Sequence, residues 1–163
     1  MKIISVVMAA AMTLLLARAA WADAVDTARA HDQAFDNALL ACTPEAALDL
    51  YEEHAAAIYP GEGELGGGNS EILKLIKNFD SAFCPDDQKK AAIKTVSLSA
   101  TPMGPDFIMI IRQFEVTDKL GNTALVRATE LIHQKDGKWR YVVVHASVGL
   151  PRAPAGSGEK PGQ

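Results

Sequence analysis

Only two cysteines, Cys42 and Cys84, occur in 163 residues, so neither a disulfide-dense scaffold nor a thiolate metal centre organises this chain. They lie 42 residues apart and form no C-x-x-C pair. Aromatic residues make up 6%, and the 16 Lys and Arg are outnumbered by 20 Asp and Glu, with no basic stripe among them. Nucleic acid and anionic membrane are therefore not expected as partners. No apolar run reaches the roughly 20 residues of a membrane-spanning helix. No G-x-S-x-G elbow is present, and His31, His54, His133 and His145 have no metal-ligand spacing. No metal and no cofactor is expected. Gly61-Glu-Gly-Glu-Leu-Gly66 matches a dinucleotide fingerprint by letters alone. Glu62 and Glu64 would repel a pyrophosphate, and no β-α-β unit follows.

The N-terminus carries the clearest signal. Lys2 precedes an apolar stretch from Ile3 to Ala17 broken only by Ser5 and Thr13, and Ala20-Trp21-Ala22 supplies small residues where a signal peptidase reads. This pattern predicts a cleavable signal peptide over residues 1–22, with a cut after Ala24 as the nearest alternative. Periplasmic or secreted location follows, with no membrane association after cleavage. Removing residues 1–22 takes away Lys2 and Arg18 and no acid, so the net charge moves from −4 to −6. The remaining 141 residues suit one domain with its own core. In an oxidising compartment an even cysteine count predicts a Cys42–Cys84 disulfide, with two buried thiols as the alternative.

Residues 25–42 read as an amphipathic helix with Ala28, Phe35, Leu39 and Cys42 inward and Asp26, Arg29, Asp32, Gln33 and Asp36 elsewhere. His31 and His54 read as helix-surface residues. Thr43-Pro44 then starts a second helix, expected to run to about Ala56. Ile58-Tyr59-Pro60 is a brief extended stretch, and residues 61–68 are a glycine loop. Asn69 or Ser70 caps a third helix with the stripe Ile72, Ile76, Phe79 and Phe83. From there the period changes to that of strands over 93–101, 107–117, 123–134 and 139–148, with Asp136-Gly137 the strongest hairpin signal. Residues 151–163, rich in Pro, Gly, Ala and Ser, are expected to be a disordered tail. Helices followed by a run of strands make an α+β domain over residues 23–150.

The segment Arg127-Ala-Thr-Glu-Leu-Ile-His-Gln-Lys-Asp-Gly-Lys-Trp-Arg-Tyr-Val-Val-Val-His-Ala-Ser147 is similar to the closing hairpin of the SnoaL-like, nuclear-transport-factor-2-like superfamily. The association domain of calcium/calmodulin-dependent kinases has a similar hairpin. Residues 62–79 are weaker support. The resemblance covers roughly residues 26–148. It implies a cone-shaped, cystatin-like fold: a curved antiparallel sheet closed by three N-terminal helices, with a pocket between them and dimers formed through the sheet. It does not imply one activity, since members include cyclases, isomerases, dehydratases and binding modules.

A two-residue turn at Asp136-Gly137 would put Glu130 opposite Val143 and Ala128 opposite His145. Val126, Ala128, Glu130 and Ile132 would then share a face with Trp139, Tyr141, Val143, His145 and Ser147. Pairing Asp118 with Asn122 adds Arg112 to that face, beside Ile108, Ile110 and Phe114. The pocket candidates are thus Arg112, Glu130, His145, Ser147, Tyr59 and Tyr141, none with an assigned catalytic role. In the kinase domains the places of Arg112 and Glu130 both hold arginine; the acid here implies an internal Arg112–Glu130 pair. The opposite face, with Leu125, Arg127, Thr129, Leu131, His133, Val142, Val144 and Ala146, is apolar enough to predict a homodimer. The functional expectation is an exported module holding a small apolar ligand or partner segment without catalysis. The alternative is an isomerase, cyclase or dehydratase using Glu130 or His145 as base.

Overall fold

The computed structural model describes residues 23–60, 65–85 and 90–149. The expected signal peptide, the Glu62 and Glu64 part of the glycine loop and the C-terminal tail lie outside the described residues. Helix α1 (residues 23–40) and a short α2 (Pro44–Leu48) precede strand β1 (Tyr51–Ile58) and β2 (Leu65–Gly67). Helix α3 (Asn69–Asp80) leads to four long strands, β3 (Ala92–Pro102), β4 (Phe107–Thr117), β5 (Thr123–Lys135) and β6 (Lys138–Val148). Among the described residues no helix is long and apolar enough to cross a membrane.

Two expectations are corrected here. The second helix stops at Leu48, and Tyr51–Ile58 is a strand running parallel to β6. Ala and Glu favour a helix locally, but pairing with β6 buries Tyr51, Ala55 and Ala57 in the core, and that tertiary gain outweighs propensity. The sheet, ordered β2-β1-β6-β5-β4-β3, is therefore mixed rather than antiparallel, and α3 comes after two strands rather than N-terminal to all of them.

Local chemistry explains the joints. Thr43 precedes Pro44 at the start of α2, and its hydroxyl donates to the Ala38 carbonyl at 3.0 Å instead of capping the helix. The residue preceding α3 is Gly68, at φ 78°, rather than Asn69 or Ser70. A Cβ on Gly66 would stand 2.5 Å from Leu75 Cδ1, so a larger residue there would require the Leu75 side chain to shift. The Cys42–Cys84 disulfide is present, with Cα atoms 5.9 Å apart, and ties the end of α1 to the segment after α3.

One irregularity decides what faces inward. Asp136 (φ 53°) and Gly137 (φ 74°) form the expected two-residue turn, with Ile132 opposite Tyr141. Beyond that pair the register shifts: Leu131 pairs with Val143 and Glu130 with Val144. Val142 is the extra residue of a β-bulge, and every β6 side chain past it changes face.

Candidate functional site

A buried ionic cluster lies between α1 and the inner face of the sheet. Arg112 on β4, 2% exposed, donates two hydrogen bonds to Asp36 of α1, Nη1 to Oδ2 at 3.0 Å and Nη2 to Oδ1 at 2.9 Å. Its Nε is 3.5 Å from both Asp32 Oδ2 and Glu130 Oε1, and its guanidinium stacks 4.1 Å over the Phe114 ring. The Tyr141 hydroxyl donates to Asp32 Oδ1 at 2.9 Å, and the Tyr51 and Tyr59 hydroxyls bond each other. His31 is buried edge-on against Tyr141, ring centroids 4.3 Å apart.

Three acids surround one arginine, and burial raises the pKa of two of them, Glu130 and Asp32. Burial pushes Glu130 well above the usual carboxylate range, the charge of Asp32 pushes it further, and Arg112 only partly opposes this. Burial also raises Asp32, against Arg112 and hydrogen bonds from Glu130 and Tyr141. Asp32 Oδ2 and Glu130 Oε2 are both buried with no hydrogen-bond partner, and burial raises both carboxyls. Burial works against the Arg112 charge, but Asp36, Asp32 and Glu130 more than offset it, and the guanidinium stays protonated.

The structure brings four of the six expected residues together: Arg112, Glu130, Tyr59 and Tyr141 all border one inner void. It excludes the other two. His145 and Ser147 are exposed on the outer face because the Val142 bulge displaces them, and Val144 and Ala146, expected outside, take their inward places. The α1 reading is also corrected. Asp32 and Asp36 are buried, and so is His31, which was expected on the helix surface. Their spacing from Ala28, Phe35 and Leu39 already placed them on the apolar face; polarity alone argued otherwise. His54 is exposed, though on strand β1 rather than on a helix, and His133 points outward, where its Nδ1 meets Glu52 Oε1 at 2.6 Å.

Two cavities meet at Tyr59 and Phe79. The inner void beside Arg112 and Glu130 is about 10 Å³, close to the lower limit for one water molecule. The second, about 450 Å³, opens to solvent and is lined chiefly by Tyr59, Leu75, Phe79, Val116, Val126 and Val148. Its size is that of a small-molecule site. Tyr59 and Phe79 stack with centroids 5.6 Å apart and ring planes 17° from parallel, dividing the two spaces.

The fold has structural relatives. The fold is that of nuclear-transport-factor-2-like, cystatin-like proteins. A putative calcium/calmodulin-dependent protein kinase II association domain from Xanthomonas campestris superposes with a TM-score of 0.64 at 21% identity, covering 77% of this chain and 87% of that one. A putative dehydratase of the NTF2-like family from Streptomyces avermitilis gives 0.66 at 16% identity, over 78% and 96%. A ketosteroid isomerase-like protein from Erwinia carotovora atroseptica gives 0.62 at 16% identity, over 78% and 97%. No family model matches the sequence, and no curated protein matches it. At such identities the likeness extends to the fold alone.

The His31 environment predicts a pH response. Burial first, and then the Arg112 charge, lower its pKa from 6.5 to about 4. A depressed histidine stabilises the folded state above pH 6.5, and that contribution is lost as pH falls toward about 4. The raised Glu130 acts oppositely, weakening the fold as pH rises through its folded value. His31→Phe isolates the first effect: its unfolding free energy in urea should fall less than the wild type's between those pH values, the gap amounting to roughly 3 kcal/mol at 1.36 kcal/mol per unit. Parallel midpoint-against-pH curves for the two proteins would contradict the assignment.

Proposed function

We propose that this chain is an exported binding module that holds a small apolar molecule in the open cavity, without chemistry at the buried ionic cluster. The carrying observation is the division of space: the open cavity is apolar, and the ionisable groups sit behind Tyr59 and Phe79 in a void with room for one water at most. The Arg112, Asp36, Asp32 and Glu130 contacts fit a network that fastens α1 to the sheet. Export is supported by the Lys2-headed apolar N-terminus, the Ala20-Trp21-Ala22 cleavage pattern and the Cys42–Cys84 bridge. A second reading, an isomerase or dehydratase using Glu130, draws on its raised pKa and on Tyr59 bordering both spaces. It requires Tyr59 and Phe79 to part before substrate reaches the carboxyl.

Nile red, an uncharged dye that brightens in apolar surroundings, tests the binding reading. Wild type should enhance and blue-shift its emission. Ala124→Phe, which fills the cavity wall beside Val116, should weaken binding by more than about tenfold, or about 1.4 kcal/mol. Equal binding by both proteins would sink the assignment of this cavity.

The outer face supports self-association. Met109, Leu131 and Val143 stand side by side across β4, β5 and β6, with Ile111 exposed nearby. Such a patch is the kind that a second copy covers. Light scattering behind size-exclusion chromatography should give a dimer for wild type and a monomer for Ile111→Lys/Val143→Lys. A wild-type monomer at high micromolar concentration would refute it.

A further inference from the structure

A separate cavity of about 560 Å³ lies where α1, residues 49–50 and the start of β6 meet. It shares no lining residue with the open cavity or the inner void. From α1 come Thr27, Ala30, His31 and Ala34, positions that recur on one helix face. The short alanine side chains leave the space open, while Leu50 and the Trp139 indole supply its larger apolar surface. The volume suits a small molecule.

The charges here differ in kind from those of the buried cluster. Lys138, Arg140 and Asp49 line the cavity, and among the described residues none of the three has an ion-pair partner. Arg140 also borders a groove with Glu52, Glu53 and Asp136 but pairs with none of them; Glu52 is taken by His133 at 2.6 Å. On α1, Asp26 is paired with Arg29 at 3.3 Å. Two cations against one acid leave the lining with a single excess positive charge.

Two further polar groups point to a ligand. His31 borders the cavity, and its Nε2 is buried without a hydrogen-bond partner, a group that gains from a molecule able to supply one. The Tyr141 N–H donates to the Leu50 carbonyl at 2.7 Å, and β1 pairs with β6 only from Tyr141 onward. Backbone N–H groups alternate in direction along a strand, so that of Trp139 faces the same edge, past the start of β1. An uncharged molecule would cover Lys138 and Arg140 without pairing them, and a cation would meet two like charges. A dianion would bring one charge more than the lining balances, beside Asp49.

We propose that this cavity is a second binding site, which takes a small organic acid with one negative charge on an apolar or aromatic body. The charge sits against Lys138 and Arg140, and the body lies on Trp139 and Leu50. The proposal does not depend on what the open cavity holds.

From residue 23 onward Trp139 is the sole tryptophan, and it does not line the open cavity, so its emission reads this site separately. The protein lacking residues 1–22 is titrated at pH 7.5 with 4-iodobenzoate, 4-iodobenzyl alcohol, 4-iodobenzylamine and 4-iodophenyl phosphate, whose iodine quenches tryptophan on contact. The carboxylate should quench saturably and bind more than about fivefold tighter than the alcohol or the amine, and more tightly than the phosphate. Lys138→Gln/Arg140→Gln should weaken the carboxylate by more than about fivefold, with circular dichroism confirming the fold. Lys138→Gln alone, an exposed change, gives the same readout at a smaller size if the double variant does not fold. A smaller preference over the alcohol or amine, or carboxylate binding untouched by loss of the cations, would overturn the electrostatic assignment. Phosphate binding as tight as the carboxylate's would overturn the single-charge assignment. Quenching that rises linearly without saturation for every probe would mean that no site exists.

Discussion

Arg112→Met is expected to be the most damaging single substitution in the chain, costing about 3–5 kcal/mol of stability. Methionine fills much of the arginine's volume, so the loss is electrostatic rather than a cavity. Asp36 would lose both hydrogen bonds, and Asp32 and Glu130 their nearby cation, all in a region from which water is excluded. An uncompensated buried charge is far more costly than the net gain of the intact pair. Urea denaturation of the variant should show a large drop in midpoint or no folded baseline. Adding Asp36→Leu should recover part of the loss, since it removes one of the stranded charges, and a double-mutant cycle reads the coupling. A single-mutant loss below about 1 kcal/mol, the size of an exposed pair, would show that the cluster is solvated after all.

Removal of the Cys42–Cys84 bridge should have the next largest effect. The bridge closes a loop of 42 residues' separation, and the chain-entropy relation gives about 4 kcal/mol for that length. The comparison is between oxidised wild type and Cys42→Ser/Cys84→Ser by chemical denaturation, with reduced wild type as a second reference. Cys42 lies just beyond α1 at φ 58°, in the left-handed region, so the end of α1 is held in a turn that the local sequence does not favour. If the double variant matched the oxidised protein in stability, the bridge would have to be enthalpically strained enough to cancel its entropic benefit.

The later half of the fold was legible because strand alternation and turn chemistry agree there. Residues 107–117 are the bounds of β4 itself, and the other three long strands match to within a residue or two. The first half was harder. Tyr51–Ile58 contains Ala and Glu in helical proportions, and only its parallel partner β6, about 90 residues later, makes it a strand. No local window contains that information. Within the site, Arg112 and Glu130 were recognisable from alternation, and Tyr59 and Tyr141 joined them. Asp32 and Asp36 were missed because acids on a helix usually face water; the 28, 32, 35, 39 spacing held the contrary signal. Arg112, buried across the core, supplies the reason those two acids are tolerated inside.

His145 and Ser147 teach a different lesson, which traces to Val142. A strand has a two-residue parity, and a single unpaired residue inverts it for everything downstream. The letters His-Ala-Ser are the same whether they look into the protein or out of it; an even or odd count back to the Asp136-Gly137 turn does not decide the matter until the inserted position is known. In this chain one valine therefore acts as a sign change, sending an imidazole side chain to the solvent and two small apolar ones to the interior. Removing it would exchange those roles and, with them, the Val144 and Ala146 lining of the inner void.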